Sequence, residues 1–192
     1  MSIKMSKYDE IKFRELLDLY FLRLKRFATS FLKESQLAEE VVMDVFLKLW
    51  EKRNKLDDID NLTTYLFVAV RNTCHNFLRK EKKHNIDSLD SLEVELASYD
   101  TTPEDDLISE EMLDKLNAAV NELPPKCKMV FKLLREEGLS RKETAKVLGI
   151  SVNTVDTQIA IAVRKIGEAL GLDLSVKRNI NGLHSFLLSG LL

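Results

Sequence analysis

Glycine and proline are scarce in this chain, at six and three among 192 residues. A chain so poor in breakers is not a turn-rich sheet. Its long runs instead repeat apolar residues with a period near 3.6, so an all-α fold follows. Only two cysteines occur, Cys74 and Cys127, and they lack metal-ligand spacing. So few cysteines and no secretory leader point to a reducing cytoplasm. No apolar run reaches the length of a bilayer span, so direct membrane insertion is not expected. The three histidines, His75, His84 and His184, lie far apart. There is no Gly-rich phosphate loop, no cluster of metal-binding carboxylates and no Ser-His-Asp arrangement. A recombinase- or nuclease-like enzyme is therefore disfavoured, and no catalytic residue, metal site or cofactor is expected.

Basic residues are missing from one stretch altogether. Between His84 and Asp114 there is no Lys or Arg, while eleven Asp and Glu fall there. Of the 31 acidic residues in the chain, 20 remain outside this stretch, against 29 basic ones, a balance of +9. The net charge of −2 thus conceals a basic, acidic, basic order. That order suits two nucleic-acid-facing domains joined by a segment that does not bind.

What is present is hydrophobic enough, at 45%, to build real cores. The most informative stretch is residues 138–167, read as helix, tight turn, helix. Ser140 with Glu143 three residues on is a capping box. Ala145 is small where two helices must approach, Gly149 suits a turn that needs positive φ, and Ile150 is expected to enter the core. Ser151 can cap the second helix, whose inner stripe would be Val155, Ile159, Ala162 and Ile166. Asn153, Thr154, Thr157, Gln158 and Ile161 are then expected to face outward. This is the spacing of a DNA-binding helix-turn-helix, although two short helices can also pair for packing alone.

Upstream, residues 1–7 are expected to be a disordered start. Residues 10–32 form an amphipathic helix through Phe13, Leu16, Leu17, Tyr20, Phe21, Leu24, Phe27, Ala28 and Phe31. Ser35 is a candidate cap for the next helix, residues 37–52, with Val42, Val45, Phe46 and Leu49 inward. Its Glu39, Glu40, Asp44, Lys48 and Trp50 form an outer or edge face of the kind that binds partners, though a lone Trp is more often core. A polar loop, 54–61, precedes a helix at 62–80. Leu66, Ala69, Val70, Thr73 and Phe77 would face its core, and Val68, Asn72, His75, Asn76 and Arg79 another side. Amide and imidazole groups near Tyr65 and Phe67 can read unstacked bases. Residues 84–102 read as an acidic linker. Thr102 and Pro103 then start a helix reaching about Leu123, Pro124 and Pro125 stop it, and a further helix spans 126–137. The apolar tail, 172–192, has no assigned role.

Taken together, the order of these segments resembles bacterial RNA polymerase sigma factors of the extracytoplasmic-function group, over roughly residues 13–170. AEEVVMDVFLKLWEK, residues 38–52, resembles the segment that grips the polymerase clamp helices. Residues 65–80, with Arg71-Asn72 and a basic LRK ending, resemble the segment that opens the minus-ten element. ELPPKCKMVFKLLREEGLS, running into the helix-turn-helix, resembles the reader of the minus-thirty-five element, and also resembles regulators of the LuxR type.

The resemblance implies a region 2-like domain at 1–83, the linker at 84–102, a region 4-like domain at 103–171 and the tail at 172–192. It implies core polymerase binding through Glu39, Glu40, Asp44, Phe46, Lys48 and Trp50. Minus-ten contacts fall on Asn72, His75, Asn76, Arg79 and Lys80. Minus-thirty-five contacts fall on Ser151, Asn153, Thr154, Thr157 and Gln158, with Arg141, Lys142, Lys146 and Arg164 on phosphates. The implied partners are core RNA polymerase, promoter DNA and an anti-sigma factor, often membrane-bound in this group. The alternative is a stand-alone LuxR-type DNA-binding regulator. One departure from the family stands out. The outer face of the second helix carries Asp156, Ala160 and Ile161 where Lys or Arg is usual, so Ile161 is expected to touch a thymine methyl in place of a phosphate contact.

Overall fold

A computed structural model describes residues 7–53, 59–84 and 110–171, and these form seven α-helices. The expected disordered start (apart from Lys7), most of the 54–61 loop, the acidic linker beyond His84, the Thr102–Pro103 helix start and the apolar tail lie outside the described residues. The helices fall into two compact units, the first three in one and the last four in the other.

In the first unit α1 spans Lys7–Leu32, α2 Ser35–Glu51 and α3 Leu62–His84. Helix α1 begins at Lys7, earlier than its apolar stripe announces. It ends where Lys33 takes φ 60, with the Lys33 N–H donating to the Thr29 carbonyl at 2.8 Å. That left-handed residue redirects the chain, so extended Glu34 becomes the N-cap of α2 and Ser35, the expected cap, is already helical. Helix α3 is capped by Asn61, whose Oδ1 accepts the Thr64 N–H at 2.8 Å. Leu24, Phe27 and Ala28 of α1, Ala38, Val42, Phe46 and Leu49 of α2, and Leu66, Phe67, Val70 and Cys74 of α3 make a closed core. Phe27 meets Phe67 edge-on at 4.9 Å, a geometry that adds about 1 kcal/mol beyond area burial. Burial pushes the Cys74 thiol up to about 12, so it stays protonated and behaves as a small apolar side chain.

In the second unit α4 spans Glu110–Asn121, α5 Pro125–Arg135, α6 Arg141–Leu148 and α7 Val152–Ala169. The two prolines end α4 and also begin α5: Pro124 is its N-cap and Pro125 its first residue, where a missing N–H costs nothing. Lys128 is buried, and its Nζ donates to Asn121 Oδ1 at 2.9 Å, tying α5 to the end of α4. Val120, Leu123, Cys127, Phe131, Ala162 and Ile166 form one cluster, and Val130, Ala145 and Val155 form a second. Helix α7 therefore packs on α4, α5 and α6 at once.

The α6–α7 turn is built as its residues dictate. Glu143 N–H donates to Ser140 Oγ at 3.3 Å while Ser140 N–H donates to Glu143 Oε2 at 2.7 Å, closing the capping box. Gly149 sits at φ 68, ψ 35, a left-handed conformation that costs other L-residues about 1–2 kcal/mol. Ser151 caps α7 through the Thr154 N–H at 3.0 Å. Ile150 departs from expectation: it remains 36% exposed, because the turn carries it over the rim instead of into the core.

Candidate functional site

Three exposed helix faces carry the candidate residues. On α2, Glu39 and Glu40 are exposed, Asp44 is half-buried and pairs with Lys48 at 2.6 Å, and Glu39 pairs with Lys25 of α1. Glu40 forms no ion pair among the described residues. Trp50 is half-buried. Its ring lies 4.7 Å from that of Phe13, and the Arg53 guanidinium caps it at 4.7 Å. Phe46 must be corrected: at 1% exposure it belongs to the core and offers no surface to a partner. The residues that do are Met43 and Leu47, 42% and 60% exposed. Sequence reasoning passed over them, although their spacing of four on the acidic side was the available signal.

On α3, Asn72, Asn76, Arg79 and Lys80 are exposed, and so is Tyr65, at 38%. Tyr65, Asn72, Asn76 and Arg79 recur at seven, four and three residues, hence on one face. Arg71 holds Asn72 Oδ1 from Nη2 at 2.8 Å, and Arg79 donates to Asn76 Oδ1 at 3.4 Å, so both amides have a guanidinium beside them. His75 is turned off this face. It is half-buried edge-on against Phe31 at 5.7 Å, and burial with the Arg71 charge lowers its imidazole below the ordinary value. A neutral, packed imidazole is a neighbour of the face, not its centre.

On α6 and α7, Arg141, Lys142, Lys146, Ser151, Asn153, Thr154, Thr157 and Arg164 are all exposed, as the helix-turn-helix reading requires. Three hydroxyls are partly committed within the helix. Ser151 and Thr154 share a 2.8 Å bond, and Thr157 donates to the Asn153 carbonyl at 2.9 Å. Arg164 lies 4.0 Å from Glu168. Gln158 and Ile161 are corrected. Gln158 is half-buried and accepts from the Cys127 thiol at 3.0 Å, and Ile161 packs on the α4–α5–α7 cluster, so it is not poised for a thymine methyl. The apolar residues exposed at the turn are Ile150 and Val152. Arg141 is engaged as well, its Nε 2.7 Å from Asp156 Oδ1. No described group of His, Cys, Asp and Glu is arranged to hold a metal ion, and no described helix is long and apolar enough to cross a membrane.

Residues 16–84 match the sigma-70 region 2 family and residues 113–166 the sigma-70 region 4 family, together well over half the chain. The extracytoplasmic-function (ECF) RNA polymerase sigma factor SigW of Bacillus subtilis (strain 168) is 23% identical over 163 residues, covering 81% of this chain and 87% of the relative. The ECF RNA polymerase sigma-E factor of Escherichia coli (strain K12) is 22% identical over 163 residues, covering 81% and 85%. Among solved structures, the sigma factor RpoE from Bartonella quintana, crystallised with the anti-sigma factor NepR, is similar in fold. Its TM-score is 0.54 at 23% identity, over 84% of this chain and 98% of that one. A LuxR-type regulator would account for α6 and α7 but not for the region 2 match of the first unit. Three helices with an acidic and apolar outer face, followed by a four-helix unit ending in a capped helix-turn-helix, therefore have a single family behind them: the chain belongs to the ECF-type RNA polymerase sigma factors, non-enzymatic proteins that direct RNA polymerase to promoters.

Proposed function

We propose that the two units divide promoter recognition in the way the family resemblance implies. The unit at 1–83 binds core polymerase through α2 and reads the opened minus-ten element through α3. The unit at 103–171 reads the minus-thirty-five duplex through α7, and the acidic stretch at 84–102 links the two. The observation that carries this reading is the α7 surface: Asn153 and Thr157 are exposed at the start of a helix whose opposite side is fully buried, as major-groove reading demands. Minus-ten reading is supported by Tyr65, Asn72, Asn76 and Arg79 sharing one face, which combines a stacking ring, amides for base edges and a cation for phosphate. Polymerase binding is assigned to Glu39, Glu40, Asp44, Lys48 and Trp50, joined by Met43 and Leu47, because an apolar pair inside a charged rim is the usual make-up of a protein interface.

An inhibitory anti-sigma partner is proposed by resemblance to relatives such as the NepR-bound factor, and the chain is placed in the cytoplasm, where core polymerase works. The test is transcription by the purified chain with sigma-free core polymerase on a fragmented library of the source genome. Discrete start sites sharing two upstream elements are expected. Duplex binding without specific initiation would overturn the division of labour.

A further inference from the structure

The ion pair between Arg141 and Asp156 joins the first residue of α6 to the second turn of α7 across the helix-turn-helix. Its placement is physically unexpected. An aspartate beside a DNA-facing surface repels phosphate, and phosphate neutralisation dominates the affinity of such surfaces. Both side chains are about half exposed, at 46% and 50%, so the pair adds little to the stability of the fold. Packing does not explain it either, since the α7 interior is closed by Val155, Ala162 and Ile166 without it. What the pair does accomplish is local. It draws a long cation from α6 over to the rim of α7, one turn beyond Asn153, and fixes it there.

We propose that Asp156 is a specificity-determining positioning residue, which holds Arg141 as a reader of a base edge in the major groove. This rests on α7 being the minus-thirty-five reader. Arginine carries five N–H donors in a planar fork, more than a single carboxylate can occupy. A guanidinium held in one orientation has already lost the rotamer freedom that binding would cost it, and its fork matches O6 and N7 of guanine. The same pairing weakens its attraction to any passing phosphate. Asp156 thus exchanges general affinity for discrimination at one base pair. Lys142, the next residue, is exposed, forms no ion pair among the described residues and supplies the phosphate contact.

The test uses the full chain bound to sigma-free core polymerase. Wild type, Asp156→Asn, Arg141→Ala and the double variant are compared on fluorescein-labelled promoter fragments in which each base pair of the upstream element is changed in turn. Wild type is expected to prefer G·C at one position by roughly tenfold or more. Asp156→Asn and Arg141→Ala should each flatten that same position and leave the others alone. Asp156→Asn should also steepen the salt dependence of binding by about one charge, and Arg141→Ala in the same chain should abolish that steepening. If Arg141→Ala weakens every fragment equally, Arg141 is a phosphate contact and the proposal fails. It fails too if Asp156→Asn leaves the base-pair profile unchanged, or if its added affinity persists without Arg141, which would be plain charge repulsion. A wild-type holoenzyme that initiates at discrete sites yet ignores every upstream substitution overturns both the proposal and the assignment of α7. Initiation at no discrete site overturns the whole promoter reading with them.

Discussion

Phe46 and Leu47 are neighbours with opposite fates, and they separate stability from binding at the scale of one residue. Phe46 is 1% exposed and touches Phe13 edge-on at 6.0 Å. Truncating it to Ala should cost about 3–5 kcal/mol in a urea melt, the usual cost of removing a buried aromatic ring. Leu47→Ala removes a side chain that is 60% exposed, so stability should change by no more than about 0.5 kcal/mol while affinity for core polymerase falls several-fold. Unchanged polymerase affinity in Leu47→Ala would remove α2 from the interface. Gly149→Ala tests the turn in the same terms. At φ 68 a Cβ is strained, and a loss of about 1 kcal/mol is expected in thermal melts of the chain. These single positions show where the sequence was legible. Gly149, Ser140 and Ser151 are dictated by local backbone chemistry, and each stands where local chemistry puts it. Ile150 was misjudged because exposure depends on which helices pack nearby, which a residue's own neighbours in sequence do not encode, whereas periodicity placed Phe46 inward correctly and only the resemblance implied an interface role for it.

Helices carry the same lesson one level up. The inner stripe of α7 was legible, since Val155, Ala162 and Ile166 are buried at their predicted spacing. Its width was not. A helix packed on one partner buries a narrow stripe, but α7 packs on three, so Gln158 and Ile161 are drawn in on the α4–α5 side. Periodicity reports the direction of burial and not the number of neighbours. On α3 the packing of His75 has a measurable consequence. Its folded-state value lies below the ordinary one, because burial first and Arg71 second oppose the charged form. In acid the unfolded chain then takes up this proton before the folded one does. Stability is retained above the ordinary histidine value of about 6.5 and falls as pH drops below it towards the lowered folded value. His75→Gln should flatten the melting temperature over that window. An equally steep profile in the variant would move the titration elsewhere.

For the whole molecule, charge and packing point to the same division. The stretch without Lys or Arg contains the boundary in sequence between two units that each close their own core, leaving the excess of basic residues on either side of it. A domain that buries its own apolar surface folds without its neighbour. The polymerase-facing candidates all lie in the first unit, while Lys142, Asn153 and Thr157 lie in the second. A chain of residues 1–83 should therefore be helical by circular dichroism. It should displace labelled full-length chain from core polymerase, with affinity within about tenfold of the intact protein if most of the interface energy sits in a few anchors on α2. A chain of residues 103–171 should be as helical, yet fail to displace it at the same concentrations. Reversing Glu40 and Asp44 to Arg in the first chain should abolish displacement without loss of helicity, because Glu40 has no ionic partner among the described residues and Asp44 loses only an exposed pair with Lys48. Displacement by the second chain alone, or by the charge-reversed first chain, would place the dominant polymerase contact outside α2 and leave its exposed Met43 and Leu47 without a partner.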